Sequence, residues 1–575
     1  MNTTSNAARW AVLTALIATA LAALALLVSP VVSAVGTERV SVDSAEAQAT
    51  MDSVSPAISA HGRYVAFESR APNLVAGDTN GVRDIFVRDR VSGTTERVSV
   101  DDSEVQGDDD SLNPTISADG RYVAFESRAT NLVSGDTNTN RDIFVRDRQL
   151  GVTERVSIDS SEAQADGNSE DAAISADGQF VAFTSVAANL VGSDANASAD
   201  IFIRDRQAGV TERVSVSSAE VEANGASDAP APSGDGRYVA YSSVATNLVP
   251  SDTNLFGDIF VRDRQSGTTE RVSVSSAELE SNFESLTPSI STDGRFVAFQ
   301  SHGSNLVASD TNADPDVFVR DRTDGTTDRA SVDSAEVQGD SVSGGPSISD
   351  SGRSVAFFSY STNLVAGDTN SAIDVFVRHR IAGTTERLSV DSAGAEANGD
   401  SADSAISGNG RMVAFHSGAT NLAAGDTNSV FDVFARAPDS DGDGDADDAD
   451  NCPNWPNPTQ ALPTWSVPAG DSDCDGFPDT VNASGRGNEA FMATDRFSQC
   501  SANSTPNNEP VDAWPPDFND TRNVNLSDVS LLSPLYNLDS NDAGYLQRFD
   551  LNANNSINLS DVSLISTFYN KSCTP

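Results

Sequence analysis

The stretch TERVSV at residues 37–42 decides the fold, because it is the string that closes each later repeat and yet stands before the first one. It returns, with small changes, at residues 95, 153, 211, 269, 327 and 385. A second motif, DIFVRDR or a variant, begins at Asp84, Asp142, Asp200, Asp258, Asp316, Asp374 and Asp432. Each copy follows the previous one by 58 residues. Residues 37–436 are therefore seven repeats of fixed period.

Four short apolar segments in each repeat predict β-strands. In the first repeat they are PAIS, RYVAFES, DIFVRDR and ERVSV. A glycine, Gly62 in this repeat, separates the first two segments and usually follows Asp. Asp-Gly between apolar runs predicts a tight hairpin, and no segment has a helical period. We therefore expect an all-β domain with four antiparallel strands per repeat.

Seven such repeats predict a seven-bladed β-propeller over residues 35–436, with a linear solenoid as the alternative. The seventh repeat ends in DVFARAPDSDGDG and lacks its fourth strand, whereas residues 37–42 supply a spare one. If the spare strand pairs with residues 432–436, the last blade is complete and no open edge remains. A solenoid has no use for such a matched deficit and surplus, so the sequence favours a closed ring.

The repeat P-x-I-S-x-D-G-R-x-V-A-F-x-S followed by D-I-F-V-R-D resembles the TolB-type (PD40-type) propeller repeat over about 400 residues. The resemblance implies the propeller fold. It implies little about function, since the family includes binding scaffolds and non-catalytic parts of peptidases.

The charge of the chain limits its partners. The 575 residues carry 36 basic and 84 acidic side chains, a formal net charge of -48. Nucleic acid and anionic membranes are poor partners for such a chain, and soluble cations such as Ca²⁺ are good ones. The length also predicts more than one domain.

Residues 1–34 have the pattern of a signal peptide. Arg9 precedes a long apolar stretch, and Val32 and Ala34 fit the small-residue rule for cleavage after Ala34. We expect an exported, extracellular protein; a retained membrane anchor is the alternative. The four cysteines, all in the last quarter, then predict two disulfides with three possible pairings: Cys452, Cys474, Cys500 and Cys573.

Two polar motifs recur, with small changes, along the repeats. D-T-N-x-x-x-D, which is Asp78, Asn80 and Asp84 in the first repeat, could hold Ca²⁺. It lacks the glycine and the distal acid of a good calcium loop, so a turn stabilised by Asx hydrogen bonds is the favoured interpretation. The motif Arg88-Asp89-Arg90 is expected to form ion pairs between blades.

No catalytic residues stand out. The histidines at 61, 302, 379 and 416 resemble drift within a repeat, and neither G-x-S-x-G nor H-E-x-x-H is present. A carboxylate pair for glycoside hydrolysis is not marked out among so many acids. Because the seven repeats look alike, we expect a non-catalytic scaffold.

After residue 436 the composition becomes strongly acidic, in DSDGDGDADDADNCPNWPNPTQ. Alternate carboxylates followed by glycine suit a loop around Ca²⁺, with a solvated linker as the alternative. The run resembles the thrombospondin type 3 repeat, and DSDCDGFPD repeats the theme, so residues 437–480 are assigned to it. A Cys452–Cys474 bridge would join the two loops. The resemblance implies calcium ligands at Asp439, Asp441, Asp443, Asp447, Asp450, Asp471, Asp473, Asp475 and Asp479.

Residues 515–575 contain two matched halves, DFNDTRNVNLSDVSLLSPLYN and DLNANNSINLSDVSLISTFYN, after a linker at 481–514. They resemble the duplicated calcium loop and helix of a type I dockerin, an α-helical, EF-hand-like module; a free-standing EF-hand-like module is the alternative. The implied calcium ligands are Asp517, Asn519, Thr521, Asn525 and Asp528, and Asp550, Asn552, Asn554, Asn558 and Asp561. The implied contacts to a cohesin-like partner are Leu526, Ser527, Leu559 and Ser560.

Two functions remain open from the sequence. The favoured one is an exported, non-catalytic calcium-binding scaffold whose propeller recognises protein or carbohydrate and whose dockerin-like module attaches or assembles it. The alternative is a dockerin-tethered glycoside hydrolase or polysaccharide lyase with its site on the propeller.

Overall fold

The computed structural model describes residues 36–439, in which every regular element is a β-strand. The leader, the acidic run beyond Asp439, the four cysteines and the dockerin-like halves lie outside the described residues. Within 36–439 no helix is long and apolar enough to cross a membrane. The strands form seven four-stranded antiparallel sheets, which are the blades of a propeller.

The strands follow the repeat without a break. Blades 1–3 consist of β2 (Ser53–Ile58), β3 (Tyr64–Ser69), β4 (Asp84–Asp89), β5 (Thr94–Arg97), β6 (Ser111–Ile116), β7 (Tyr122–Ser127), β8 (Asp142–Asp147), β9 (Val152–Arg155), β10 (Ser169–Ile174), β11 (Phe180–Ser185), β12 (Asp200–Asp205) and β13 (Val210–Arg213). Blades 4–6 consist of β14 (Ser227–Pro232), β15 (Tyr238–Ser243), β16 (Asp258–Asp263), β17 (Thr268–Arg271), β18 (Ser285–Ile290), β19 (Phe296–Ser301), β20 (Asp316–Asp321), β21 (Thr326–Arg329), β22 (Ser343–Ile348), β23 (Ser354–Ser359), β24 (Asp374–His379) and β25 (Thr384–Arg387). Blade 7 consists of β26 (Ser401–Ile406), β27 (Val413–Ser417), β28 (Asp432–Arg436) and β1 (Glu38–Arg39).

The first strands of the blades form the inner ring. Each first strand contacts the first strands of both neighbours, and β2 of blade 1 contacts β26 of blade 7. Each also contains an irregularity, as between Val54 and Ala57 in β2, where Ser55 has a φ of 51°. The contact between blades 7 and 1 closes the circle, so the predicted seven-bladed propeller is confirmed and the solenoid is excluded.

The N-terminal strand closes blade 7 as predicted. β1 pairs antiparallel with β28, with Glu38 opposite Ala435 and Arg39 opposite Phe434. The Val40 N–H then donates to the Val433 carbonyl at 2.7 Å. The strand is shorter than the predicted six residues because the chain bends after Val40, where the Val42 N–H donates to the Val40 carbonyl at 2.8 Å.

The core consists of aromatic pairs between the second and third strands. The segments V-A-F and I-F-V are buried along their whole length, because both faces of a blade pack against neighbours. In blade 1 the rings of Phe67 and Phe86 stack with centroids 5.9 Å apart, and every other blade has a stacked aromatic pair at the same two positions. Gly120, with a φ of 74°, lies so close to the Tyr64 ring of the previous blade that a side chain would clash with it.

Blade 4 has a tyrosine where the other blades have phenylalanine in this pair. The side chain of Tyr241 is fully buried, and its hydroxyl has no hydrogen-bond partner among residues 36–439. An unsatisfied buried hydroxyl costs about 1–3 kcal/mol. We expect Tyr241→Phe to increase the free energy of unfolding by about 1 kcal/mol, measured by urea denaturation. A decrease would show that the hydroxyl is satisfied in solution; Phe299→Tyr in blade 5 is the reciprocal control and should be destabilising.

Candidate binding face

The D-T-N-x-x-x-D motif lies in the connection between the second and third strands and holds that connection together. Asn80 Nδ2 donates to Asp84 Oδ2 at 2.9 Å and to the Gly107 carbonyl at 3.0 Å, while Asn80 Oδ1 accepts the Val82 N–H at 3.2 Å. Asp84 is fully buried, and its Oδ1 accepts the Ser99 hydroxyl at 2.5 Å. These contacts are those of an Asx-stabilised turn, as the sequence favoured.

Three copies of this connection gather three carboxylates. Blades 3, 4 and 6 have Glu where the others have Gln, and the carboxylate oxygens of each group lie within 4.8 Å of one another: Asp194, Asp200 and Glu222; Asp252, Asp258 and Glu280; Asp368, Asp374 and Glu396. Such groups could hold a metal ion. In blade 4, however, Arg271 Nη1 lies 2.8 Å from Glu280, 3.2 Å from Asp258 and 3.7 Å from Asp252. The guanidinium occupies the position between the carboxylates that a cation would take.

Burial gives several of these acids unusual protonation behaviour. It raises the pKa to about 6 for Asp142, Asp252, Asp316, Asp368 and Asp432. A raised pKa means that the folded chain binds the proton more tightly than the unfolded chain does. Their contribution to stability is therefore fully present below about pH 4 and is lost as the pH rises towards about 6.

We expect the melting temperature of the propeller to fall between pH 4.5 and pH 7. Asp89 and Asp263 act in the opposite sense, because hydrogen bonds from Arg63 and Arg237 lower their pKa. The stability that these two carboxylates contribute is lost only in more acidic solution. Calorimetry in buffers of equal ionic strength tests this dependence. A melting temperature that rises steadily from pH 4.5 to pH 7 would contradict it.

The R-D-R motif forms ion pairs, partly between blades. Arg90 Nη2 lies 2.8 Å from Glu38 in blade 7, and Arg88 pairs with Glu46 in the connection from blade 7 to blade 1. Asp89 instead pairs within its own blade, with Arg63 at 2.7 Å. The predicted inter-blade role is confirmed for the two arginines and wrong for the aspartate.

The repeats differ at the end of the propeller that holds the connections between second and third strands. We call this end the mouth face: it comprises the connections between second and third strands, the connections leading into the first strands, and the strand residues next to them. The penultimate residue of the second strand is, in blade order, Glu68, Glu126, Thr184, Ser242, Gln300, Phe358 and His416. The residue before the third strand is Arg83, Arg141, Ala199, Gly257, Pro315, Ile373 and Phe431. The expectation that the repeats are alike is therefore wrong at this face, where side chains that are not needed for the shared fold vary.

Blades 1–4 and 7 contribute an acidic arc to the mouth face, which we define as Glu68, Glu126, Glu170, Asp171, Asp228 and Asp403. Glu68 lies 3.0 Å from Arg83 and accepts the Asn113 N–H of the next blade at 3.0 Å. Glu126 likewise lies 3.1 Å from Arg141 and accepts the Asp171 N–H at 3.1 Å. These contacts link neighbouring blades and hold the carboxylates in place.

Blades 4–7 contribute an aromatic arc, which we define as Phe256, Phe283, His302, Tyr360 and Phe431. The rings of Phe256 and Phe283 stack with centroids 4.3 Å apart and are 36% and 44% exposed. His302 lies 5.8 Å from Phe283, and Tyr360 is half exposed. Exposed apolar side chains that lie together, as Phe256 and Phe283 do, mark interaction sites in many soluble proteins. The mouth face thus presents the acidic arc on one side and the aromatic arc on the other.

The predicted functional residues have different outcomes. Of the implied calcium ligands only Asp439 is described, and its N–H donates to Glu386 at 3.0 Å. The remaining calcium ligands and the cohesin contacts lie outside the described residues and stay predictions. His302 and His416 belong to or border the aromatic arc, and His416 lies 3.2 Å from Asp403. The sequence signal for the mouth face is the difference between repeats at equivalent positions, at the end of the second strand and before the third.

Comparisons with known proteins add three structures of similar architecture. No protein-family profile matches the chain, and no curated protein matches it. A putative TolB from Agrobacterium tumefaciens is 18% identical, with a TM-score of 0.31, over 48% of this chain and 80% of that one. The β-propeller domain of the Trilobed protease from Pyrococcus furiosus is 12% identical, with a TM-score of 0.42, over 67% of this chain and 95% of that one. An oligogalacturonate lyase in complex with manganese is 11% identical, with a TM-score of 0.41, over 68% of this chain and 90% of that one. Identities this low leave the function of the chain open.

Proposed function

We propose that this chain is an exported, non-catalytic binding protein whose propeller recognises a protein or carbohydrate ligand at the mouth face. The observation that carries the proposal is that repeats sharing one set of fold-forming residues diverge at this end, where carboxylates and exposed aromatic rings meet. Side chains that the fold does not fix also vary in the turns at the opposite end, as at Val91 and Leu150. What distinguishes the mouth face is that carboxylates held by hydrogen bonds between blades and stacked, exposed rings belong to the same end. In this proposal the shared residues form a rigid ring, and the side chains of the mouth face bind the ligand.

The alternative is a polysaccharide-degrading enzyme, and one group favours it. Burial raises the pKa of Glu126 to about 7, which is the range expected of a general acid. Both oxygens of Glu126 are nevertheless engaged: Oε1 with Arg141 and Asn113, and Oε2 with the Asp171 N–H. A carboxyl group held in this way supports neighbouring backbone, so the binding function is preferred.

Array binding distinguishes the two functions. The purified full chain is applied to glycan and peptide arrays, and the double variant Phe256→Ala/Phe283→Ala is compared with Val91→Ala/Leu150→Ala, which removes exposed apolar side chains from the opposite end. We expect binding that the first pair loses and the second keeps. Equal binding by both pairs, or cleavage of a polysaccharide that Glu126→Gln abolishes, would overturn the proposal.

The same proposal assigns calcium and assembly to the C-terminal part. The thrombospondin-like residues 437–480 and the two dockerin-like loops would bind Ca²⁺, and the repeated Leu-Ser pairs at 526–527 and 559–560 would contact a cohesin-like protein. The spacing of oxygen-bearing side chains supports the calcium assignment. A calcium-dependent pull-down with cohesins tests the docking step, and failure to retain any of them would remove it.

Calcium removal should affect only the C-terminal part. We expect a chelator to abolish one thermal transition and to leave the propeller transition in place, since Arg213, Arg271 and Arg387 already pair with its three-carboxylate groups. Calcium at 100 times its Kd would stabilise a bound module by about 2.7 kcal/mol. Calorimetry of the full chain measures this, with Asp517→Ala/Asp550→Ala as a variant lacking the first ligand of each dockerin-like loop. Identical curves with calcium and with chelator would contradict the assignment.

A further inference from the structure

Blade 4 holds one residue of the mouth face at a conformational cost. Leu255 has a φ of 62° and is 79% exposed. Gly81 occupies the same position in blade 1, with a φ of 70°. The left-handed conformation is unfavourable for a non-glycine residue, and Leu255 gains no burial in return. Ala197, Ala313, Ser371 and Ser429 have the same conformation at this position, so it belongs to the turn that the repeats share. What distinguishes blade 4 is the large, exposed apolar side chain that it places there.

Leu255 belongs to an exposed apolar group on blade 4. Phe256 follows it in the chain and stacks on Phe283, and Val244 lies beside Gly257. Val244 is about half exposed, as is Val186 on blade 3. We call Val244, Leu255, Phe256 and Phe283 the blade-4 patch. Contiguous exposed apolar side chains of this kind mark contacts with a partner.

The blade-4 patch borders carboxylates that lack balancing cations. Asp228 faces Ser242 across the sheet, two residues before Val244. Asp171 lies close enough to Asp228 and Glu170 for their charges to raise its pKa, after the larger effect of burial. Arg141 pairs with Glu170 at 3.3 Å, and among residues 36–439 no ion pair involves Asp228. This end of the acidic arc is therefore net negative.

We propose that the blade-4 patch and the adjoining carboxylates bind a polypeptide segment that carries a basic side chain next to an apolar one. The inference rests on the proposed function and narrows it to a protein partner. The apolar side chain covers Leu255 and Phe256, and the basic side chain lies against Asp228 and Asp171. The net charge of -48 further favours the approach of a cationic partner.

A library of random twelve-residue peptides, displayed on an array and probed with the full chain, tests the chemistry. We expect enrichment of peptides that combine Lys or Arg with Leu, Phe or Ile, and weaker binding as the salt concentration rises. Enrichment of acidic peptides, or binding to glycans without any peptide, would overturn this inference. Glycan binding that Phe256→Ala/Phe283→Ala removes would leave the broader proposed function standing.

Two substitutions separate binding from structure. Leu255→Gly should raise the melting temperature, because it relieves the left-handed conformation, and should weaken binding of an enriched peptide about tenfold. Asp228→Asn should weaken binding at low salt more than at high salt. Leu150→Ala and Asp324→Asn, at the opposite end, are the matched controls and should change neither. Unchanged peptide affinity in Leu255→Gly and Asp228→Asn would overturn the proposal.

Discussion

A chain that lacks residues 37–42 is expected to lose its cooperative folded propeller. The deletion removes Val40, which is fully buried beside Val433, and exposes the edge of β28 to other chains. It also removes Ser41 and Arg39 from the buried Asp432, to which they lie at 2.6 and 3.3 Å. Loss of the partners of a buried charge lowers the free energy of unfolding by about 3–5 kcal/mol, and loss of a buried apolar side chain lowers it by about 2 kcal/mol. The combined loss approaches the whole stability of a typical domain.

A variant in which the fourth strand of blade 7 follows β28 in the chain is the control for this deletion. In this variant residues 37–42 are deleted, and a turn like those between third and fourth strands of the other blades, followed by TERVSV, is placed directly after Arg436. The fourth strand of blade 7 then follows its third strand in the chain, as in the other blades. We expect this variant to recover the melting temperature and monomeric state of the wild-type propeller, measured by calorimetry and light scattering. If the deletion alone melts like the wild-type chain, the closing strand does not stabilise the ring.

Replacement of Arg271 by Met is expected to destabilise the propeller by about 3–5 kcal/mol, because it leaves buried carboxylates without their cation. Asp258 is fully buried, and the side chain of Asp252 is 3% exposed. Three carboxylates with no guanidinium between them form an oxygen site of the kind that Ca²⁺ prefers. We therefore expect calcium to restore the stability of Arg271→Met, measured on the propeller transition relative to the wild-type chain.

Blade 1 offers the matched control for this rescue. Arg97 lies 3.5 Å from Asp78 and 3.4 Å from Asp84, and Gln106 stands where blade 4 has Glu280. Arg97→Met should be destabilising by a similar amount, but its two carboxylates should not be rescued by calcium. Equal rescue of both variants, or of neither, would show that the third carboxylate does not decide cation binding.

The architecture could be predicted from the sequence because every blade needs the same kinds of residue at the same spacing. Each blade needs a glycine after the first strand, apolar second and third strands, and a fourth strand, so a period of 58 residues reveals all seven blades at once. The surplus fourth strand at 37–42 and the deficit after Arg436 are visible by counting. Ring closure therefore follows from the one-dimensional pattern. The Asx role of Asn80 was also favoured correctly, because its contacts are local.

The candidate site depends on distances that the sequence does not contain. Glu68, Asn113, Glu126 and Asp171 are spread over more than 100 residues, yet hydrogen bonds join them across three blades. A motif is defined by what the repeats share, whereas these residues stand at positions where the repeats differ. The sequence also does not show that Arg271 lies among three carboxylates, since Asp252 precedes β16, Asp258 begins it and Glu280 lies in the connection to blade 5.

The sequence by itself determined the number of blades, their strand order and the closure of the ring, because each of these is set by local strand pairing and by counting repeats. Only the tertiary structure decided which side chains share the mouth face, and that arginines fill the carboxylate groups. The physical reason is that the ring brings equivalent positions of all seven repeats to one end. Their differences thereby become neighbours in space, although they remain 58 residues apart in the chain.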